Sequence, residues 1–125
     1  MNPYWTPVLI PSLAGAAAFF ISHNRLRRSL WAAAAAAHFV FTLFVVIGLI
    51  PRGMDSWIGV DSLAVLFLGT TSLLFLMITI YGIGYVAREP VGTVSDIEDG
   101  TPVLNAPEAI FTGCLLLFLA SMTLV

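Results

Sequence analysis

The stretch "DSLAVLFLGTTSLLFLMITIYGIGYV", residues 61–86, indicates the fold more clearly than any other part of this sequence. It carries no charged residue after Asp61, and it is longer than the roughly 20 apolar residues that a helix needs to cross a bilayer. Asp61 is a suitable N-cap, because its carboxylate can accept from free backbone N–H groups at the positive end of a helix. The stretch therefore predicts one long membrane-spanning helix.

The rest of the chain has the same apolar character. Of its 125 residues 59% are hydrophobic and only 10% are charged, whereas about a quarter of the residues of a soluble domain are charged. Three further apolar segments lie at roughly 4–22, 30–50 and 107–125. Because a backbone in lipid must satisfy its own hydrogen bonds, we expect an all-α membrane protein, with residues 1–125 forming a single bundle of about four transmembrane helices. The pair Ala14/Ala18 indicates that the helices pack closely.

The arginines predict how the bundle is oriented. The loop 23–29 contains three arginines and the loop 87–106 contains one, against a single arginine in the loop 51–60 between them. Because short loops rich in arginine stay on the cytoplasmic side, we expect loops 23–29 and 87–106 to be cytoplasmic and both termini to lie on the outer, periplasmic side. The expected location is the cytoplasmic (inner) membrane of a prokaryote.

Few residues have the chemistry that a catalytic or binding site needs. Cys114 is the only cysteine, so neither an internal disulfide nor a cysteine metal cluster is possible. The five basic residues form no stripe of the kind that binds nucleic acid. We expect no catalytic site, metal site or cofactor within this chain. We also expect the chain to lie in the lipid bilayer and not to bind nucleic acid.

Two residues are candidates for a proton path. His38 is the one ionisable residue well inside a predicted span, and such residues can serve proton relays. The alternative is a neutral histidine bonded to a backbone carbonyl or a neighbouring hydroxyl, and the lack of a visible acidic partner favours it. Glu108 would lie at the cytoplasmic mouth of the fourth helix, where it could receive protons, but stabilisation of the helix dipole explains it without a transport role.

Three motifs resemble a known family. "WIGVDSLAVLFL" (residues 57–68), "IYGIGYVAREP" (80–90) and "LFLASMTLV" (117–125) follow one another as in the N-terminal region of the antiporter-like membrane subunits. That family includes subunits of respiratory complex I, the Mrp cation/proton antiporters, and the membrane subunits of hydrogenase-4, formate hydrogenlyase and other group 4 hydrogenases. The positions that carry the resemblance are Trp57, Asp61, Leu63, Tyr81, Gly84, Tyr85, Ser121 and Met122.

The resemblance implies a membrane-arm subunit, or the N-terminal part of one, in an ion-translocating oxidoreductase or hydrogenase complex. Its partners would be other membrane and redox subunits of a hetero-oligomeric complex, and iron–sulfur and other redox centres would lie in those partners. The family's pumping glutamate and lysines belong to helices that would follow Val125, and this sequence has no lysine. We therefore expect a mainly structural role, in a piece of a larger subunit or in a split or truncated subunit assembled beside its remainder.

A different class of protein is the alternative. A small stand-alone four-helix membrane protein, such as an assembly factor or an oligomeric transporter, fits the same hydropathy pattern. Small transporters often bury an acidic residue within a span, whereas all seven acidic residues here lie in loops or at helix ends.

Overall fold

Four helices make up most of the described part of the chain. The computed structural model describes residues 5–50, 54–55, 58–88, 93–95, 102–104 and 107–124. Within this part, the helices are α1 (Thr6–Phe20), α2 (Asn24–Val46), α3 (Ser62–Val86) and α4 (Glu108–Thr123). The prediction of a helical bundle is confirmed for these residues, while the two predicted outer termini, residues 1–4 and 125, lie outside the described residues.

The predicted boundaries of α3 agree with the structure, and the Asp61 cap is confirmed. Asp61 has an extended backbone and its Oδ1 accepts a 2.7 Å hydrogen bond from the backbone N–H of Ala64. The helix then continues without interruption to Val86. Its start is therefore fixed by a short-range signal that is visible in the sequence.

Both predicted ends of the second helix were wrong. The helix begins at Asn24, so residues 24–29 of the predicted loop 23–29 are helical. The three arginines of that loop therefore lie in the first turns of α2. At the other end α2 stops at Val46, before the predicted Ile50. Hydropathy misplaced the start because arginine is polar yet a good helix former.

The C-terminal end of α2 is a Schellman motif. Gly48 has a φ of 82°, the left-handed conformation that glycine adopts without steric cost. Its N–H bonds to the carbonyl of Val45, and the N–H of Leu49 bonds to the carbonyl of Phe44. This pair of bonds satisfies carbonyls that the end of a helix leaves free, and it ends the helix although the apolar run continues.

The first and last helices, α1 and α4, are shorter than predicted. Helix α1 has 15 residues, with Pro7 in its first turn, and α4 has 16 residues and begins directly after Pro107. At 1.5 Å per residue, α1 and α4 are about 22–24 Å long, whereas α2 and α3 are about 34–38 Å long. Among the described residues, α2 and α3 are the two helices that are long and apolar enough, by length and composition, to cross a membrane.

Two connections that were predicted as loops contain short antiparallel strand pairs. Strand β1 (Met54–Asp55) pairs with β2 (Ile58–Gly59) between α2 and α3. Strand β3 (Thr93–Ser95) pairs with β4 (Pro102–Leu104) between α3 and α4, with Val94 opposite Val103.

The core of the bundle lies where the helices meet around Trp31. It contains two aromatic side chains and several small or aliphatic ones: Ala14, Trp31, Ala34, Ala35, Phe75, Val86, Leu116 and Leu119. Helices α1 and α4 approach so closely that a Cβ on Gly15 would lie 3.2 Å from the carbonyl oxygen of Gly113. Ala14 and Ala18 are both buried, as their spacing predicted.

Helix α3 contributes only one narrow face to this core. Its buried residues follow a spacing of three or four, which places them on one side of a helix: Ser72, Phe75, Thr79, Gly82 and Val86. Residues 62–71 include no buried side chain. Most of the surface of α3 is therefore apolar and exposed in the isolated chain.

Candidate functional site: buried polar contacts between the helices

His38 lies at the junction of three helices. Its side chain is only 1% exposed. Nδ1 is 3.1 Å from the Ser72 hydroxyl on α3, and Nε2 is 3.0 Å from the Thr123 hydroxyl on α4. The Thr42 hydroxyl, one turn further along α2, donates to the backbone carbonyl of His38 at 2.9 Å. This is the hydroxyl-bonded arrangement that the sequence left open as the alternative to a relay.

Glu108 forms an ion pair that the sequence did not predict. Its Oε1 and Oε2 accept from Arg28 Nε at 2.8 Å and from Arg28 Nη2 at 2.9 Å, a bidentate contact between α4 and α2. Nη2 of Arg28 also donates to the Val86 carbonyl at the end of α3. Glu108 also lies in the first turn of α4, where a carboxylate complements the helix dipole. One guanidinium thus connects three helices.

Arg27 performs a second structural task at the same end. The buried guanidinium donates from Nε to the Ala18 carbonyl at 3.1 Å, and also to the Ile21 carbonyl. Its Nη1 donates to Oδ1 of Asn24 at 2.9 Å. A positive charge at the C-terminal end of α1 interacts favourably with the negative end of that helix dipole. Arg27 and Arg28 therefore bind the helices together where α1 and α3 end and α2 and α4 begin; we call this the arginine end.

The two proton-path candidates are far apart. Glu108 is bonded to Arg28, and His38 follows Arg28 by ten residues on the same helix, a rise of about 15 Å. Between these levels the interior is mainly apolar, with buried side chains such as Ala35 and Leu116. The structure does not bring His38 and Glu108 into one site.

Two further buried polar atoms lie near the ion pair in the sequence. Trp31 follows Arg28 by one turn of α2, and Thr112 follows Glu108 by one turn of α4. Among the described residues, neither Trp31 Nε1 nor Thr112 Oγ1 has a hydrogen-bond partner. An unpaired buried donor or acceptor lowers stability.

The residues that carry the family resemblance lie outside the core. Leu63 is 59% exposed and Tyr81 is 75% exposed. The remaining positions of α3 and α4 in this set are exposed as well: Gly84, Tyr85, Ser121 and Met122. Asp61 is the helix cap described above, and Trp57 lies outside the described residues. We call the exposed α3 positions Leu63, Tyr81, Gly84 and Tyr85 the motif face.

Tyr81 and Tyr85 form a stacked pair on the motif face. Their ring centroids are 6.4 Å apart and the ring planes differ by 19°. Apart from its two chain neighbours and the nearby backbone of α3, a Cβ added to Gly84 would meet no atom within 4 Å. The backbone at Gly84 is therefore open to the outside of the bundle.

Metal ligands are not clustered in the described part of the chain. No group of three or more histidine, cysteine, aspartate or glutamate side chains there could hold a metal ion. Cys114 is exposed on α4.

Comparisons with known proteins found no relative: no protein-family model matches this chain, and no curated protein or solved structure matches it either.

Proposed function

We propose that this chain is a membrane-arm subunit, or the N-terminal part of one, of an ion-translocating complex that resembles complex I or a group 4 membrane-bound hydrogenase. It crosses the cytoplasmic membrane of a prokaryote four times and supports proton or sodium translocation structurally. Electron transport and its iron–sulfur centres belong to partner subunits. The proposal rests on the order of the three motifs together with the position of their residues on the bundle.

The outward position of the motif residues is the observation that carries the proposal. The buried residues of α3 form a different set, from Ser72 to Val86. The motif face is therefore separate from the buried face of α3. In a bilayer, exposed glycines allow a neighbouring helix to approach closely. A face with an open Gly84 beside two exposed tyrosines suits contact with the helix of another subunit.

The lengths of the helices fit four spans if the bilayer or a partner adapts around α1 and α4. The hydrocarbon core of a bilayer is about 30 Å thick, some 6–8 Å more than the length of these two helices. Local thinning of the bilayer, or cover from a neighbouring subunit, accommodates such a mismatch at modest cost. Helices α2 and α3 need no such adjustment.

The arginine end faces the cytoplasm in this proposal. Arg25 and Arg88 are exposed at that end, and Arg27 and Arg28 hold the helices together beside them. Single cysteines in a Cys114→Ala background test this orientation. A cysteine at exposed Leu26 should react with an impermeant reagent only after the cells are opened. Labelling from outside intact cells would contradict it.

Purification of the tagged chain under mild detergent, followed by mass spectrometry, tests the complex. Iron–sulfur and antiporter-like subunits should co-purify with the chain. Gly84→Leu adds bulk to the motif face where no atom lies within 4 Å, and it should reduce recovery of the partners without unfolding the chain. Ala16→Leu, at an exposed small position on α1, is the matched control and should leave recovery unchanged.

The alternative function is a stand-alone four-helix membrane protein, either an assembly factor or an oligomeric transporter. The contacts of Arg28 favour it, because they join α2, α3 and α4 within one chain. Recovery of a stable homo-oligomer without other subunits would support this alternative and contradict the membrane-arm subunit.

A further inference from the structure

The hydroxyl of Thr123 decides how the hydrogen bonds around His38 are directed. Oγ1 of Thr123 lies 2.7 Å from the carbonyl oxygen of Leu119 and 3.0 Å from His38 Nε2. A carbonyl oxygen only accepts, so the single hydroxyl hydrogen of Thr123 is donated to Leu119. The lone pairs of Oγ1 remain for His38, and Nε2 must therefore carry the hydrogen in that contact.

The second ring nitrogen follows from the first. A neutral imidazole has one N–H, so a hydrogen on Nε2 makes Nδ1 an acceptor. Ser72 lies 3.1 Å from Nδ1 and its hydroxyl can rotate to donate. With the opposite tautomer, Nε2 and Thr123 Oγ1 would both present lone pairs at 3.0 Å.

We infer that His38 is a neutral positioning residue held in the Nε2–H tautomer, at the centre of a directed chain that runs from the Ser72 hydroxyl through the imidazole to Thr123 and the Leu119 carbonyl. The chain connects α3, α2 and α4 near the C-terminal end of α4. It ends at a backbone carbonyl, which has no proton to pass on. His38 therefore fixes the position of α4 and does not relay protons.

The surroundings of His38 agree with a neutral ring. Among the described residues, the polar groups bonded to its side chain are the hydroxyls of Ser72 and Thr123, and Thr42 bonds to its backbone. The carboxylate of Glu108, the acidic group on α4, is bonded to Arg28 at the arginine end. A buried charge without a partner is strongly unfavourable. This inference does not depend on which complex the chain joins.

Nitrogen NMR of the whole chain in lipid nanodiscs tests the inference directly. The chain is labelled with ¹⁵N-histidine, and His23→Gln removes the only other histidine, which is exposed. At neutral pH, His38 should show a protonated Nε2 and an unprotonated Nδ1. A protonated Nδ1, whether alone or together with a protonated Nε2, would overturn the inference. This measurement needs no change to the site.

Three variants separate positioning by Thr123 from other causes. Thr123→Val keeps the shape of the side chain but removes the acceptor, so a population with a protonated Nδ1 should appear. Thr123→Ser restores the acceptor and should restore the Nε2–H signal. Ser72→Ala should leave the Nε2–H tautomer in place, because Thr123 still accepts from it. If Thr123→Val leaves the tautomer unchanged, Thr123 does not set it and the inference is wrong.

Discussion

Replacing Gly82 by alanine should loosen the contact between α2 and α3. A Cβ at Gly82 would lie 2.5 Å from Cη2 of Trp31 and 3.2 Å from its Cζ2, whereas ordinary contacts begin at 3.4 Å. The indole cannot move aside easily, because Trp31 is completely buried and its ring meets the Phe111 ring edge to face, with centroids 6.0 Å apart. The two helices would have to separate by roughly 1 Å or the indole would have to leave its rotamer.

The expected loss of stability is the difference between two terms. Overpacking of a well-packed core costs about 1–3 kcal/mol. Alanine in place of glycine within a helix raises the free energy of unfolding by up to about 1 kcal/mol, because alanine has the higher helix propensity. With the middle of the first range and the whole of the second, Gly82→Ala should lower the free energy of unfolding by about 1 kcal/mol. Gly84→Ala is the matched control, because a Cβ there meets nothing within 4 Å; it should be neutral or stabilising.

Unfolding by sodium dodecyl sulfate in mixed micelles, followed by far-UV circular dichroism, measures both variants. Gly82→Ala should unfold at a lower detergent fraction than the unmodified chain, and Gly84→Ala at an equal or higher fraction. The double variant Trp31→Phe, Gly82→Ala should lose less stability than the sum of the two single variants. The reason is that phenylalanine is smaller and lacks the indole atoms Cη2 and Cζ2 that the new methyl group meets. Equal stability of Gly82→Ala and Gly84→Ala would refute this packing argument.

The same unfolding assay checks three further changes. Glu108→Gln should lower the free energy of unfolding by about 1–2 kcal/mol, since it removes the negative charge that Arg28 binds. The Glu108 and Arg28 side chains are only 10% and 23% exposed. Full stability of Glu108→Gln would contradict a role for the pair. Asp61→Ala should cost about 1 kcal/mol by removing the helix cap, whereas Asp61→Asn keeps an acceptor and should cost little. Thr112→Val should stabilise the chain by about 1 kcal/mol because the buried hydroxyl is unpaired, and a loss of stability would show that this hydroxyl has a partner.

Local signals explain how much of the fold the sequence could predict. The extent of α3 follows from hydropathy and one capping carboxylate, both contained within the segment itself. The early start of α2 was missed because hydropathy treats arginines as loop residues, although their side chains reach α1 and α4 in the bundle. Its early end depended on Gly48, whose left-handed conformation is a common helix stop that the apolar run concealed.

The polar contacts were harder to predict because they join distant parts of the chain. Arg28 and Glu108 are 80 residues apart, and no local pattern pairs them. A hydroxyl partner for His38 was foreseen as one alternative, but Ser72 and Thr123 could be identified only once three helices were placed around the ring. The outward orientation of the motif face likewise depends on which side of α3 the other helices cover.

Site-specific photo-cross-linking in intact cells tests the proposed membrane-arm role most directly. A benzophenone side chain is placed at Tyr81 on the motif face or, as the control, at Phe20 on α1, which is 86% exposed. We expect the probe at position 81 to form an adduct with another membrane subunit, identified by mass spectrometry, and the probe at position 20 to form none. Adducts at position 81 with lipid alone, or with a second copy of this chain, would contradict it.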